Sequence, residues 1–230
     1  DGKPVYESYN EEVHLAKGDL AIADGVPIFC GIDFGLTPAC VFAQRIRNRW
    51  VVFDELVAED MGIVKFSDLM KQVMAQYLPR EFVIFGDPAG DHRVQTDEST
   101  PFQIMRGKGI YARPAPSNDV TLRLESVSSV LNRMVDGESG IIIDNKCNNL
   151  IKGFAGGYHY RRLQVSGERY DEKPNKNRFS HVHDALQYLL LGAGEGRALT
   201  IGKKTNKPVV AKRNFNVFDV KPKSVYERRR

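Results

Sequence analysis

The stretch IFCGIDFGLTPACVFAQRIRNRWVVFDELV, residues 28–57, decides the fold. It holds three strand-like runs, Ile28–Asp33, Ala39–Ile46 and Trp50–Val57. The last two are joined by the polar turn Arg47-Asn48-Arg49. Runs of this composition with so short a polar connection predict an antiparallel meander. The first run is apolar except for Asp33 and breaks at Gly35. A carboxylate at the end of a buried strand is costly unless a hydrogen-bond donor or a positive charge meets it. Asp33 therefore marks either a structural partner or a metal ligand.

Downstream the period changes. Ile63, Phe66, Leu69, Met70, Val73, Met74 and Tyr77 recur at helical spacing within Met61–Leu78, and Pro79 stops the run. Phe82–Phe85 reads as a short strand closed by GDPAG. Pro101–Lys108 reads as a short helix with proline in its first turn, and Tyr111–Ala115 as another strand. Ser117 or Asn118 is expected to cap a helix running to about Val135, with Leu122, Leu124, Val127, Val130, Leu131 and Met134 as its apolar positions. Ile141–Ile143 is an expected strand and Asn145–Phe154 an expected helix. Residues 156–178 are rich in Gly, Tyr and Arg and suit a hairpin or a long loop. Ser180 is the expected cap of a last helix, HVHDALQYLLLGA. There is no internal repeat. A meander followed by alternating strands and helices predicts an α/β fold: a mixed central sheet, antiparallel first and then parallel, with helices on both faces.

Composition sets the limits. A hydrophobic content of 42% over 230 residues suffices for a packed core. The chain contains no run of about 18 apolar residues, so no membrane-spanning helix is expected. Cys30, Cys40 and Cys147 show neither Cys-x-x-Cys spacing nor a disulfide framework. They read as buried free thiols, which suits a reducing compartment. Residues 197–230 carry eleven of the 33 Lys/Arg and two of the 29 Asp/Glu, so the body is mildly acidic and the tail strongly basic. The expected organisation is an edge segment or linker remnant over 1–27, one domain over 28–196, and a flexible basic tail over 197–230. That tail is either a contact for nucleic acid or an acidic partner, or a solvated terminus.

Three carboxylates fall at comparable places. Asp33 ends the first strand, Asp87 follows the strand Phe82–Phe85, and Asp184 sits near the start of the last helix beside His181 and His183. In open α/β sheets functional residues gather at the carboxyl ends of strands, which allows Asp33 and Asp87 to approach each other. Three carboxylates within a few ångströms cannot all stay ionised without cations. Mg²⁺ and Mn²⁺ take such hard oxygen ligands. Two such ions would activate a water and stabilise the leaving oxygen in a phosphodiester displacement.

The motifs GIDFG, VVFDELV, FGDPAG and SHVHDALQYLLLG, in this order over residues 28–192, resemble the C-terminal nuclease domain of a tailed-bacteriophage large terminase subunit. The resemblance implies an RNase H-like fold. It implies a metal-dependent endodeoxyribonuclease that cuts concatemeric double-stranded DNA during viral packaging. Asp33, Asp87 and Asp184 are then the metal ligands and catalytic residues, holding Mg²⁺ or Mn²⁺, two ions with DNA bound. It also implies an ATPase motor, a small terminase subunit and a portal as partners, and the cytoplasm of an infected bacterial host as location. The chain has no G-x-x-x-x-G-K-[ST] loop, so no ATPase motif is present. Since it starts at Asp1 rather than Met, it is expected to be a piece from which the motor was removed.

Other residues are candidates for supporting roles. Asp54 and Glu55 lie in the third strand on opposite faces, and either is an additional ligand or a solvent-facing edge charge. His181 and Asp184, three apart, share a helix face. His181 or His183 is a candidate outer ligand or proton shuttle, against an exposed polar helix end. Tyr158, Tyr160, Arg161, Arg162, Lys173, Lys176 and Arg178 form a basic and aromatic stretch suited to a phosphate backbone. No base-reading motif accompanies it, so cleavage with little sequence preference is expected. Competing functions are an actin-like ATPase, which needs a second duplicated half that is absent, another RNase H-like nuclease such as a junction resolvase, and a non-catalytic DNA or portal docking module.

Overall fold

The structure is a computed structural model, and it describes residues 2–91, 99–163 and 169–196. The basic tail expected over 197–230 lies outside the described residues. In chain order the elements are β1 (Gly2–Pro4), α1 (Glu11–His14), β2 (Ile28–Asp33), β3 (Ala39–Ile46), β4 (Arg49–Val57), α2 (Ile63–Ala75) and β5 (Phe82–Gly86). There follow α3 (Pro101–Gly107), β6 (Ala112–Pro114), α4 (Val120–Leu131), β7 (Met134–Val135), β8 (Glu138–Ser139), β9 (Ile141–Ile143), α5 (Asn148–Lys152), β10 (His159–Arg161) and α6 (Ser180–Gly192).

The central sheet has six strands in the order β6-β5-β2-β3-β4-β9. β3 is antiparallel to both β2 and β4, while the β2–β5, β5–β6 and β4–β9 pairs are parallel. The expected meander, followed by parallel strands, is therefore present. Arg47 and Asn48 turn the β3–β4 hairpin in the left-handed region, with φ of 48° and 67°, a conformation asparagine tolerates better than most side chains.

Each sheet face carries its own core. Ile28, Cys30 and Ile32 of β2 point to one side, with Phe42, Phe53, Phe66, Met70 and Met105, beneath α2 and α3. The opposite face packs Val41, Ala43, Trp50 and Val52 against α4, α5 and α6 through Val127, Val130, Leu150, Val182, Ala185, Leu186 and Leu189. The alternation follows from the two-residue period of a strand. Both faces of β2 are covered, which accounts for its near-continuous apolar run.

Local details depart from the sequence reading where capping chemistry intervened. Asp119, rather than Ser117 or Asn118, caps α4 by accepting from Leu122 N at 3.0 Å. Ser117 Oγ instead accepts from Asp119 N, and Asn118 Oδ1 accepts from the Tyr188 hydroxyl. The helix ends at Leu131 rather than near Val135, because Met134–Ser139 turns back as a tight hairpin with positive φ at Asp136 and Gly137. Ser180 opens α6, but its hydroxyl donates to Asn177 O and caps no amide. The helix expected over 145–154 is shorter, and a wide turn over Gly153–Gly157 follows it.

Residues 2–27 are tied to this framework along their length. β1 pairs antiparallel with β10. His14 Nε2 bonds Leu131 O, Leu15 bridges Ile143, Ala23 N donates to the buried Gln44 side chain, and Arg80 donates to Ala23 O and pairs with Asp24. Among the described residues no helix is long and apolar enough to cross a membrane.

Helix and sheet approach each other tightly at Gly31. A Cβ there would lie 1.9 Å from Ala185 O and 2.7 Å from Leu189 Cβ. Helix α6 can settle onto β2 only because this position has no side chain. Gly31→Ala is therefore expected to destabilise the protein by about 3 kcal/mol or more, since a rigid backbone atom must move. Gly18→Ala, with nothing within 4 Å of its Cβ, is the control expected to change stability little, and urea denaturation followed by circular dichroism checks both.

Candidate active site

The site is built where α6 starts above the end of β2. Gly31 and Asp33 lie on the same face of β2, so the residue that admits the helix and the residue that meets its first turns are two apart. Asp33 is 6% exposed, and His181 Nδ1 donates to its Oδ2 at 2.9 Å. One helical turn on, Asp184 is 1% exposed. Lys176 Nζ contacts its Oδ2, and Arg123 Nη1 stands 3.3 Å from its Oδ1.

Asp87 reaches the same edge from β5. The parallel register pairs Ile32 with Gly86, and Asp87 N extends it by donating to Ile32 O at 3.0 Å. Asp87 thus sits beside Asp33 at the carboxyl ends of neighbouring strands. Its Oδ1 accepts from Ala89 N at 2.8 Å, which shapes the GDPAG turn. Its charge adds to those felt by Arg123 and Tyr188. Among the described residues no three His, Cys, Asp or Glu side chains are grouped closely enough to hold one ion. The close contacts around the acids are those of Asp33 with His181 and of Asp184 with its two cations.

The electrostatics of the acids are strained. Burial pushes the Asp33 carboxyl up to about 6, against the lowering effect of the His181 hydrogen bond, and the Asp184 charge pushes it further up. Asp184 Oδ1, buried, has no hydrogen-bond partner. Carboxylate oxygens are the hard ligands that Mg²⁺ or Mn²⁺ takes, although here Asp184 already faces Arg123 and Lys176. In donor chemistry Asp33, Asp87 and Asp184 suit such an ion, though among the described residues they are not drawn together around one point.

The supporting candidates separate clearly. His181 faces the site. His183 does not, and the outer-ligand role expected for it is corrected. It is fully buried among Tyr6, Phe154 and Tyr158, and desolvation lowers its pKa to about 3. Gly153 makes room for the ring, since a Cβ there would come within 2.0 Å of His183 Nε2. Glu55 is on the same sheet face as Asp33, two strands away, and crowns the start of α5. Asn149 N and Nδ2 donate to its Oε1, and Leu150 N to its Oε2. Asp54, on the other face, accepts from the Tyr77 hydroxyl and from Glu55 N. Both carboxylates are satisfied by the fold.

Of the basic and aromatic stretch, Tyr158 is corrected: it is 3% exposed and belongs to the core. Tyr160 is half-buried on β10, while Arg161, Arg162, Lys173, Lys176 and Arg178 are exposed. The stretch does form a hairpin. Arg162 bridges Tyr170, Leu163 N donates to Arg169 O, and Asp171 N donates to Arg161 O.

Arg123 was not legible as a site residue. It is buried against Asp184, donates to Tyr188 Oη at 2.9 Å and lies 4.9 Å over the Tyr188 ring. The available signal is its spacing. Positions 123, 127 and 130 share the inner stripe of α4 with Ser126 and Leu131, whereas Leu122 and Leu124 are only partly buried.

No protein-family model and no curated protein sequence matches the chain. Solved structures do. The large terminase of a thermophilic bacteriophage, in complex with ADP, aligns with a TM-score of 0.65 at 16% identity, over 87% of this chain and 46% of that one. The g2p large terminase nuclease domain from bacteriophage SPP1 with bound Mn aligns at 0.51 and 17% identity, over 76% and 94%. The large terminase nuclease from thermophilic phage G20c with bound magnesium aligns at 0.54 and 9% identity, over 84% and 97%. This chain thus spans under half of the ADP-bound large terminase and matches nearly the whole of the two nuclease domains. Its fold is the RNase H-like fold of large terminase nuclease domains.

The raised Asp33 pKa has a defined sign. Between about 4 and 6 the folded carboxyl keeps a proton that the unfolded chain has released, so stability falls as pH rises through that window. In metal-free buffer, Asp33→Asn is expected to raise stability at pH 7.5 by about 1–3 kcal/mol and to leave it nearly unchanged at pH 4. Urea titrations in EDTA at the two pH values read this directly.

Proposed function

We propose that this chain is the nuclease domain of a viral DNA-packaging terminase, a divalent-metal-dependent endonuclease that hydrolyses phosphodiester bonds of concatemeric double-stranded DNA. The observation that carries the reading is that buried Asp33 is bonded by His181 of the helix that carries buried Asp184 one turn on, at one edge of an RNase H-like sheet, with Asp87 on the adjoining strand end. The bound Mn and magnesium of the two matched nuclease structures support the same metal class.

In this reading Asp33, Asp87 and Asp184 would hold Mg²⁺ or Mn²⁺, two ions with DNA bound, which would supply an activated water and stabilise the departing oxygen. The protein's own part is positioning. The β2 and β5 ends fix Asp33 and Asp87 side by side, and α6 fixes Asp184 above them. His181, bonded to Asp33 through Nδ1, orients that carboxylate. Arg161, Arg162, Lys173 and Arg178, exposed on the hairpin and the segment before α6, suit contacts to phosphate oxygens, which carry no sequence information. Cleavage then shows little sequence preference. The remainder of the assembly follows from the same reading: an ATPase motor in the same polypeptide, a small terminase subunit, a portal, and action inside an infected bacterium.

Asp33→Asn and Asp184→Asn are each expected to reduce nicking of supercoiled plasmid in Mn²⁺ by about a hundredfold or more, while leaving duplex affinity within a few-fold of wild type. Agarose-gel kinetics and fluorescence anisotropy give the two readings. Full cleavage by both variants would exclude the assignment, and binding without cleavage by the wild type would favour a docking module.

A further inference from the structure

The acids arrive already accompanied by two cations, and the two are unlike. Arg123 is 6% exposed at its side chain, held by the Tyr188 hydroxyl and stacked on the Tyr188 ring. It cannot leave. The Lys176 side chain is 67% exposed, yet its ammonium reaches down to Asp184, which is 1% exposed. It meets that carboxylate from the solvent side.

The backbone around Lys176 is anchored. Asn175 N donates to His159 O at 2.9 Å, Arg161 Nη2 to Asn175 Oδ1 at 2.9 Å, and Asn177 Nδ2 to Gly157 O at 2.8 Å. The hairpin thus holds the segment while the four-carbon stem of the lysine stays free to swing. Arg161, Lys173 and Arg178 are exposed on the same segment and hairpin. A phosphate backbone brought to them competes with Asp184 for the Lys176 ammonium, because lysine meets phosphate as a movable point charge.

Resting on the nuclease reading, we propose that Lys176 is an exchangeable counter-ion of the site. Its ammonium neutralises Asp184 in the free protein and is drawn off by DNA phosphate, so that duplex binding opens the carboxylate to a divalent cation. Metal and DNA then tighten each other's binding, a coupling that is reciprocal by linkage. The free domain is poorly charged with metal, and the acids are completed where DNA is already present.

The test is Mn²⁺ titration calorimetry on the chain, with and without a phosphorothioate-substituted duplex. Lys176→Met keeps the stem and removes the charge; Lys176→Arg keeps the charge. Without DNA, Lys176→Met is expected to bind Mn²⁺ about fivefold tighter than wild type, the scale of one half-exposed ion pair, and Lys176→Arg no tighter. In EDTA the methionine variant is expected to melt at lower temperature than wild type, with a larger gain on adding Mn²⁺. DNA should tighten Mn²⁺ binding in wild type and leave it unchanged in Lys176→Met. Equal Mn²⁺ affinities for wild type and Lys176→Met, with equal tightening by DNA, would overturn the counter-ion role and leave the nuclease reading standing. Mn²⁺ binding absent in wild type and both variants, or unaffected by Asp184→Asn, would overturn the nuclease reading and the counter-ion role together.

Discussion

The structure depends on one contact, the seating of helix α6 against strand β2 at Gly31. Without a Cβ at that position, the Ala185 carbonyl occupies space that any other residue would claim. The close approach has two consequences at once. It buries Val182, Ala185, Leu186 and Leu189 against the sheet and completes the larger core. It also sets the first turns of α6 over the end of β2, so that His181 reaches Asp33, with Asp184 one turn farther along the helix. A helix standing farther off would lose apolar contact and separate the acids together. Packing and chemistry here share a single geometric requirement.

The acids in turn dictate the charge distribution around them. A carboxylate that is 1% exposed requires positive charge nearby, and two cations from different parts of the chain supply it. One comes from the inner stripe of α4, the other from the segment before α6. Arg123 is itself buried, so its cost is offset by Asp184, by the Tyr188 hydroxyl and by the ring beneath it. Removing either member of that pair leaves the other uncompensated. The arrangement is therefore a coupled unit, which explains an arginine in a row otherwise made of valine, leucine and serine.

Much of this was legible in the sequence because local patterns agreed with one another. The meander, the helical period of α2, the strand before GDPAG and the apolar last helix each had one reading, and their order limited the sheet to a mixed arrangement. Asp33, Asp87 and Asp184 stood out as charges at strand ends or in an apolar helix. The features that escaped are those set by distant partners. Arg123 looks like a surface residue until α6 is placed beside it. Asp119 won the cap of α4 because Ser117 and Asn118 were drawn to Asp119 N and to Tyr188. Neighbours in sequence compete for one role, and the tertiary partner decides among them.

The same logic separates the two histidines of the SHVHD motif. They are two apart on a helix, so they point about 200° apart, and only one can share the acid edge. His181 is on that side. His183 falls on the side where Tyr6, Phe154 and Tyr158 close over it, and Gly153 leaves room for its ring. Composition alone favours neither residue, since both are imidazoles beside the same aspartate. What distinguishes them is the aromatic enclosure, built from the N-terminal segment and from the turn after α5, both distant in sequence from the motif. The N-terminal segment is therefore part of the core that holds α6 in place: Tyr6 covers His183 and accepts a hydrogen bond from Gln187, on the same helix that carries Asp184 to the site.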